Sequence, residues 1–376
     1  MLLMHFDTIA VHGGTHAREE TTGDVAPPIH LSTTYVHSAD SQPDHGYTYI
    51  RDANPTGEQL ETALAKLEAG ASALAFSSGM GSVAAALQAL PEGSHVILPD
   101  DSYYGVRELA SEYLPRWGMT ASFVPTEDLA VVRASVTKNT TAIWAESPSN
   151  PLMKVVDLVA LAEIAHAAGA RLFVDNTFAS PALQRPLTLG ADVVMHSTTK
   201  YLGGHSDVQG GALVFAGSDE YSEAVAHLRK ITGAVAAPFN SWLILRGIRS
   251  LPARMRVHCA NAQVLAGFLA GHASVEVVHY PGLAAHPGHD IAARQMTGFG
   301  GMLSFRVKGG REAAIAVCAN VKLLTVATSL GGTETLIEHR ASSEGPGSRT
   351  PENLLRMSVG LEHPDDLVED LRQALR

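Results

Sequence analysis

Two cysteines, three tryptophans and a charged fraction of only 17% are what this 376-residue chain has little of. Cys259 and Cys318 stand far apart and in no CxxC spacing, which argues for a reducing compartment and against a thiolate metal site. No apolar run approaches the roughly 18 residues a membrane helix needs, so no membrane span is expected. No basic segment precedes Asp7, and the N-terminus does not read as a signal peptide. Basic residues number 27 against 38 acidic ones, a net charge of −11, and no Lys/Arg cluster is placed to track a phosphate backbone. Nucleic acid is therefore not an expected partner. Histidine is plentiful at 18 residues, yet His286-Pro287-Gly288-His289 lacks HExxH or paired His/carboxylate spacing, and no metal site is expected. What remains is a soluble, cytoplasmic globular chain.

What is present is length, glycine and a rhythm. A chain of this size buries a large core and is expected to divide in two, and its 34 glycines suit tight strand–helix turns. Residues 1–46 show little periodicity and read as an arm with a short helix at most, lying on the main domain or on a partner subunit. Residues 47–236 form the expected large domain. There Asn54 caps and Pro55 opens a helix that carries Leu60, Leu64 and Leu67 and ends at Gly70. Strands are expected over 71–76, 95–98, 121–124, 140–145, 171–174, 192–196 and 212–215, with helices over 81–90, 104–117 and 157–168. This βα rhythm predicts an α/β fold with a mostly parallel sheet covered on both faces. Residues 237–376 read as a smaller α+β domain. One long helix or two span 240–270 with Arg246, Arg249, Arg254 and Arg256 on exposed faces. Strands follow over 275–279, 302–307 and 354–359, helices near 310–319 and 364–375, and a Ser/Gly/Pro-rich loop over 341–352.

Chemistry concentrates at the ends of the expected parallel strands, where open α/β sheets bind ligands. Ser78-Gly79, Asp100-Asp101, Glu146, Asp175 and Lys200 all fall there. Gly79-Met80-Gly81-Ser82-Val83-Ala84 fits the G-x-G-x-x-A dinucleotide pattern, with Asp100 at the next strand end, so an NAD-dependent oxidoreductase is one reading. That reading leaves Ser197-Thr198-Thr199-Lys200-Tyr201-Leu202-Gly203-Gly204-His205 without a task. Hydroxyls and glycines suit phosphate oxygens, and a lysine held there can act as a nucleophilic amine. A pyridoxal phosphate enzyme uses such a lysine, several phosphate donors and a carboxylate that keeps the ring nitrogen protonated. Asp175, ending the apolar Phe173-Val174 run, supplies an acid whose buried charge a pyridinium would offset.

From about Tyr47 onward the chain resembles the Cys/Met-metabolism family of pyridoxal-phosphate enzymes, which includes cystathionine γ-synthase, cystathionine γ-lyase and methionine γ-lyase. The resemblance is carried by Tyr49-Ile50-Arg51, Ser77-Ser78-Gly79-Met80, Asp101-Ser102-Tyr103, Glu146-Ser147-Pro148-Ser149-Asn150-Pro151 and Val174-Asp175-Asn176-Thr177-Phe178. It continues through Ser197-Thr198-Thr199-Lys200-Tyr201, Ser329-Leu330-Gly331-Gly332 and Leu355-Arg356-Met357-Ser358-Val359-Gly360. The resemblance implies an aspartate-aminotransferase-like (fold type I) structure, pyridoxal 5'-phosphate as cofactor and a homotetramer built as a dimer of dimers. Lys200 is then similar to the family's Schiff-base lysine, Asp175 to the pyridinium partner and Tyr103 to the ring-stacking tyrosine, which can also serve as an acid. Gly79, Met80, Ser197 and Thr199 match the phosphate cup, and Thr177 matches a cofactor-pocket hydroxyl. Tyr49 and Arg51 match residues that reach the phosphate from the neighbouring subunit. Arg356 matches the arginine that binds the substrate α-carboxylate, helped by Ser329 and Asn150.

Specificity is read from departures. Thr48 and Thr328 fall where cystathionine-handling relatives often carry acids, and Val106 stands near where methionine γ-lyases usually place a cysteine. The segment 340–351 is unlike its counterpart in the best-known members and can reshape the substrate entrance or form a tolerated surface loop. Two threonines cannot pair with a distal ammonium, which favours a less charged distal group, as in methionine or homocysteine. Nearest to the family's cystathionine γ-lyases, the expectation is γ-elimination of L-cystathionine, with methionine γ-lyase and cystathionine γ-synthase as the near alternatives.

Overall fold

The computed structural model describes residues 4–14, 23–346 and 348–376. Seven strands form the larger sheet: β1 (Ser72–Phe76), β2 (His95–Pro99), β3 (Thr120–Val124), β4 (Thr140–Glu146), β5 (Arg171–Asp175), β6 (Val193–His196) and β7 (Gly211–Phe215). Their order is β1-β7-β6-β5-β4-β2-β3. The five strands from β3 to β6 run parallel, and β7 is antiparallel to both of its neighbours. Apolar side chains fill both faces, with Phe76, Trp144 and Phe173 in one core and Ile97, Ile143 and Leu172 in another. Continuous burial along β2 and β7, rather than alternation, follows from helices covering each side. The dinucleotide reading fails on this topology. It needs β1 parallel and central, whereas β1 is an edge strand paired only with antiparallel β7. Asp100 instead accepts from Lys154 Nζ at 3.2 Å.

Five further strands form a second sheet in the order β10-β11-β12-β9-β8: β8 (Val275–His279), β9 (Met302–Val307), β10 (Thr325–Val326), β11 (Leu336–His339) and β12 (Leu354–Ser358). The helix Leu251–Ala270 belongs to both cores. Its first turns put Leu251 and Met255 in the same core cluster as Leu60, Leu64 and Leu67, and its last turns put Leu265 and Leu269 in the cluster of Phe305 and Leu355. The 240–270 region is two helices, Pro238–Ile248 and Leu251–Ala270.

Several local expectations shift for identifiable reasons. The helix expected over 104–117 stops at Glu112 and resumes as a 3₁₀ turn, Leu114–Trp117, because Pro115 cannot continue an α-helical ladder. Arg254 is buried rather than exposed. It packs over Gly204, where any Cβ would overlap the guanidinium, and its Nη2 donates to the Gly247 carbonyl at 2.7 Å. The segment after His339 opens with a helical turn, Arg340–Glu344, before becoming loop. Helix Glu220–Thr232, capped reciprocally by Asp219 and Ser222, and strand β11 have no counterpart in the expectations above.

The arm carries a helix, Phe6–His12, and lies along the main body. Trp242 Nε1 donates to Pro27 O at 2.8 Å, and Asn54 Nδ2 to His30 O at 2.9 Å. Its residues 1–3 and 15–22 fall outside the described residues. Among the described residues, no helix is long and apolar enough to cross a membrane.

Candidate active site

A cavity of about 960 Å³ opens between the carboxyl ends of the parallel strands and the β11/β12 end of the second sheet. Eleven of the thirteen residues singled out from sequence line it: Gly79, Met80, Tyr103, Asn150, Asp175, Thr177, Ser197, Thr199, Lys200, Ser329 and Arg356. Tyr49 and Arg51 do not. Tyr49 is 42% exposed, and Arg51 sits 5.4 Å over its ring beside a separate small hollow.

One wall is built by the larger sheet. Helix Gly79–Gln88 begins where β1 ends, with Ser78 capping it by accepting from the Gly81 N–H at 3.0 Å. The first N–H groups of that helix have no intrahelical acceptor and face the cavity side with the positive end of the dipole, a setting that suits phosphate. Gly79 permits this approach, since a Cβ there would lie 3.0 Å from the Ser197 Cβ. Thr177 Oγ1 accepts from the Ser197 N–H at 2.9 Å, and Thr199 Oγ1 exchanges hydrogen bonds with Gly210 at 3.1 Å. These contacts fix the loop that carries Lys200.

Two acids sit at the floor of this wall. Glu146 and Asp175 are register partners at the ends of β4 and β5. Glu146 Oε2 accepts the Tyr103 N–H at 3.0 Å, and Asp175 Oδ1 accepts the Thr177 N–H at 3.0 Å. Burial pushes the Glu146 carboxyl well above its usual range, and the neighbouring Asp175 charge pushes it further. Asp175 is likewise raised, by burial, with the Thr177 hydrogen bonds acting the other way. Behind them the buried His196 ring meets Glu68 at 2.6 Å. A pair of acids held this way fits a cationic ring arriving from outside the chain.

The other wall comes from the second sheet and carries its own charge balance. Arg356 on β12 donates through Nη1 to Asn150 Oδ1 at 2.9 Å and through Nη2 to the Ser329 carbonyl at 3.1 Å. It also pairs with Glu338, its register partner on β11. Glu338 was not singled out from sequence. Neither was Arg340, which bonds Glu338 at 3.2 Å and Glu344 at 3.1 Å. Ser329 holds a left-handed backbone at φ +82°, costly for a residue with a Cβ and typical of functional sites.

Lys200 lies between the walls. Its Nζ donates to Ser329 Oγ at 2.8 Å. Burial first, and the Arg356 and Arg340 charges second, lower its ammonium to about 8, so it is far readier than a surface lysine to give up a proton. Tyr103 is pushed up to about 12, mainly by burial. Ile315, Cys318 and Val326 add an apolar stretch to the lining, and the buried Val106 also lines the cavity. The histidines of 286–289 serve the fold: His286 Nδ1 accepts the Gly288 N–H at 3.0 Å, and His289 Nδ1 contacts Pro281 O at 2.8 Å.

A phosphate-ready helix start, a buried acid pair and a lysine of lowered pKa, all on an aspartate-aminotransferase-like sheet, define the class as a fold type I pyridoxal-phosphate enzyme. Over residues 7–376 the sequence matches the model of the Cys/Met metabolism PLP-dependent enzymes, and the chain belongs to that family. It is 48% identical over 374 residues to a cystathionine gamma-synthase of Mycobacterium tuberculosis, covering 98% of this chain and 96% of that one. Similarity to a cystathionine gamma-lyase of Bacillus subtilis is 44% over 376 residues, covering 98% of both. A cystathionine beta-lyase of Lactococcus lactis is 43% identical over 376 residues, again covering 98% of both chains. The crystal structure of metB from Corynebacterium glutamicum superposes with a TM-score of 0.96 at 41% identity, covering 99% of this chain and 98% of that one. The protein is therefore a PLP-dependent enzyme of sulfur amino acid metabolism.

Proposed function

We propose that this enzyme cleaves L-cystathionine by γ-elimination, giving cysteine, 2-oxobutyrate and ammonia with uptake of water. The observation that carries the reading is a tether at one residue. Ser329 Oγ accepts from Lys200 Nζ at 2.8 Å while the Ser329 carbonyl accepts from Arg356 at 3.1 Å. A proton-moving amine and a carboxylate-binding guanidinium are thus indexed to the same strained backbone position.

The cofactor would be held by Asp175 at the ring nitrogen, by Gly79, Met80, Ser197 and Thr199 at the phosphate, by Thr177 at the pocket wall and by Tyr103 at the ring face. Bound PLP supplies an electron sink for charge developing at the substrate Cα. Arg356, with Asn150 and Ser329, binds the α-carboxylate and orients the Cα–H bond toward Lys200 Nζ. Lys200 takes that proton and moves protons at Cα and Cβ. Tyr103, a protonated phenol near neutrality, hands a proton to the departing thiolate. The apolar stretch Ile315, Cys318 and Val326 accommodates the thioether chain.

A second reading is γ-replacement on an activated homoserine by cysteine, which the 48% identity to the mycobacterial synthase favours. One assay separates them. The holoenzyme is incubated with cystathionine, methionine, or O-succinyl- or O-acetylhomoserine plus cysteine, and 2-oxobutyrate, thiol and cystathionine are measured. Keto acid from cystathionine is expected; net cystathionine synthesis without keto acid would overturn γ-elimination in favour of replacement. Lys200→Ala should lose turnover by about 10⁴-fold or more, together with the visible band that borohydride abolishes in the wild type.

The exposed position of Tyr49, away from its own chain's cavity, supports the reading that Tyr49 and Arg51 complete the site of a second copy. We assign a dimer-based homotetramer and a cytoplasmic location on the same footing, testable by sedimentation and by fractionation.

A further inference from the structure

Arg356 does not wait for substrate with a free guanidinium. Glu338, almost fully buried, already pairs with it across the β11/β12 ladder. A substrate carboxylate reaching Arg356 must therefore share it with a resident carboxylate, and two like charges on one cation oppose each other. Arg340 is placed to relieve that conflict. Its Nη1 donates to the same Glu338 oxygen at 3.2 Å, and its Nε donates to Glu344 at 3.1 Å. Both side chains are almost fully buried, with Arg340 at 4% exposure and Glu344 at 6%. Two buried atoms of the cluster, Arg340 Nη2 and Glu338 Oε2, have no hydrogen-bond partner among the described residues, which leaves the network room to take another group. The four side chains carry two positive and two negative charges.

We propose that Arg340 is a positioning residue for substrate binding: it offsets Glu338, so that Arg356 retains the charge needed to take the substrate carboxylate. The inference rests on Arg356 as the carboxylate-binding residue proposed above. Removing the Arg340 charge leaves Arg356 facing two acids and turns a neutral cluster into one of net charge −1. The incoming carboxylate then meets repulsion. Neutralising Glu338 in that background restores the balance.

The test uses the holoenzyme and two non-eliminating probes, L-alanine and L-alaninamide, with binding followed by calorimetry and KM and kcat measured on the turned-over substrate. Arg340→Met is expected to weaken L-alanine binding and raise KM about tenfold or more, with L-alaninamide binding and kcat changed less than about threefold. Adding Glu338→Gln should recover most of that loss. Arg340→Lys, which keeps the charge but not the planar fork, should stay within about threefold of wild type. A folded Arg340→Met enzyme with unchanged L-alanine affinity, or a double variant no better than the single, overturns the proposal. If Arg340→Met does not fold, Arg340→Lys decides alone, and a tenfold loss there would show that geometry rather than charge matters. A wild type with no preference for L-alanine over L-alaninamide would instead refute the role given to Arg356, which keeps the two failures distinct.

Discussion

The two walls of the cavity treat charge in opposite ways. On the large-sheet side Glu146 and Asp175 stand side by side with raised pKa values. On the small-sheet side Glu338 and Glu344 are answered one for one by Arg340 and Arg356. On the proposed assignments, the difference separates a permanent guest from a transient one. An acid pair left uncompensated by its own chain is completed by a cationic group that stays bound. A compensated cluster can admit an anion and release it again, because neither state leaves a large net charge buried.

This contrast can be broken from either side, and the largest effect is expected at the acid pair. Asp175→Asn removes the charge proposed to meet the cofactor's ring nitrogen, and cofactor affinity should fall by about 10²–10³-fold. Titrating PLP into cofactor-free protein and following the visible band measures this. Carboxylate-over-amide preference, measured at saturating PLP, should survive the change. Arg356→Met is the mirror experiment. KM should rise by about 10²-fold through the loss of charge-assisted hydrogen bonds, while the PLP titration stays near wild type. An effect of either variant on the other wall's ligand would show that the two walls do not act separately.

The smallest effect concerns Lys200, which lies between them. In the cofactor-free protein its folded pKa of about 8 lies below the ordinary 10.5. The unfolded chain therefore binds more protons between those values, and stability should rise with pH across that window. Below it the buried ammonium imposes its full penalty; above it none remains. Lys200→Met should thus be more stable than wild type near pH 7, by roughly 2 kcal/mol, with the difference fading by about pH 10.5. Urea unfolding at several pH values checks the sign.

Much of the large-sheet wall was legible in sequence because each of its groups sits at the end of an apolar strand or the start of a helix. Phe173-Val174 announces Asp175, and Ser78-Gly79 announces a helix start. The opposing wall was half hidden. Glu338 and Arg356 lie 18 residues apart and meet only because β11 and β12 pair antiparallel in that register. β11 has just four residues after a glycine-rich turn, too short for a clear alternating pattern. The Leu336-Ile337-Glu338-His339-Arg340 run, with opposite charges two apart, was the available signal. Arg254 was misplaced for a related reason. Its burial depends on the bare backbone of Gly204, which no helical periodicity can reveal. Tyr49 and Arg51 were assigned from resemblance, and neither lines the cavity of its own chain.

The helix Leu251–Ala270 has a mechanical consequence. Its 20 residues make a strut about 30 Å long, with one end embedded in the core cluster that holds Leu60 and Leu64 and the other in the cluster that holds Phe305 and Leu355. Swinging one sheet away from the other would have to fracture this strut or tear one end from its socket, either of which sacrifices buried contacts. The gauge of the cavity is thereby set by a rigid brace, and adjustments for substrates of different length fall to the short segments at its mouth.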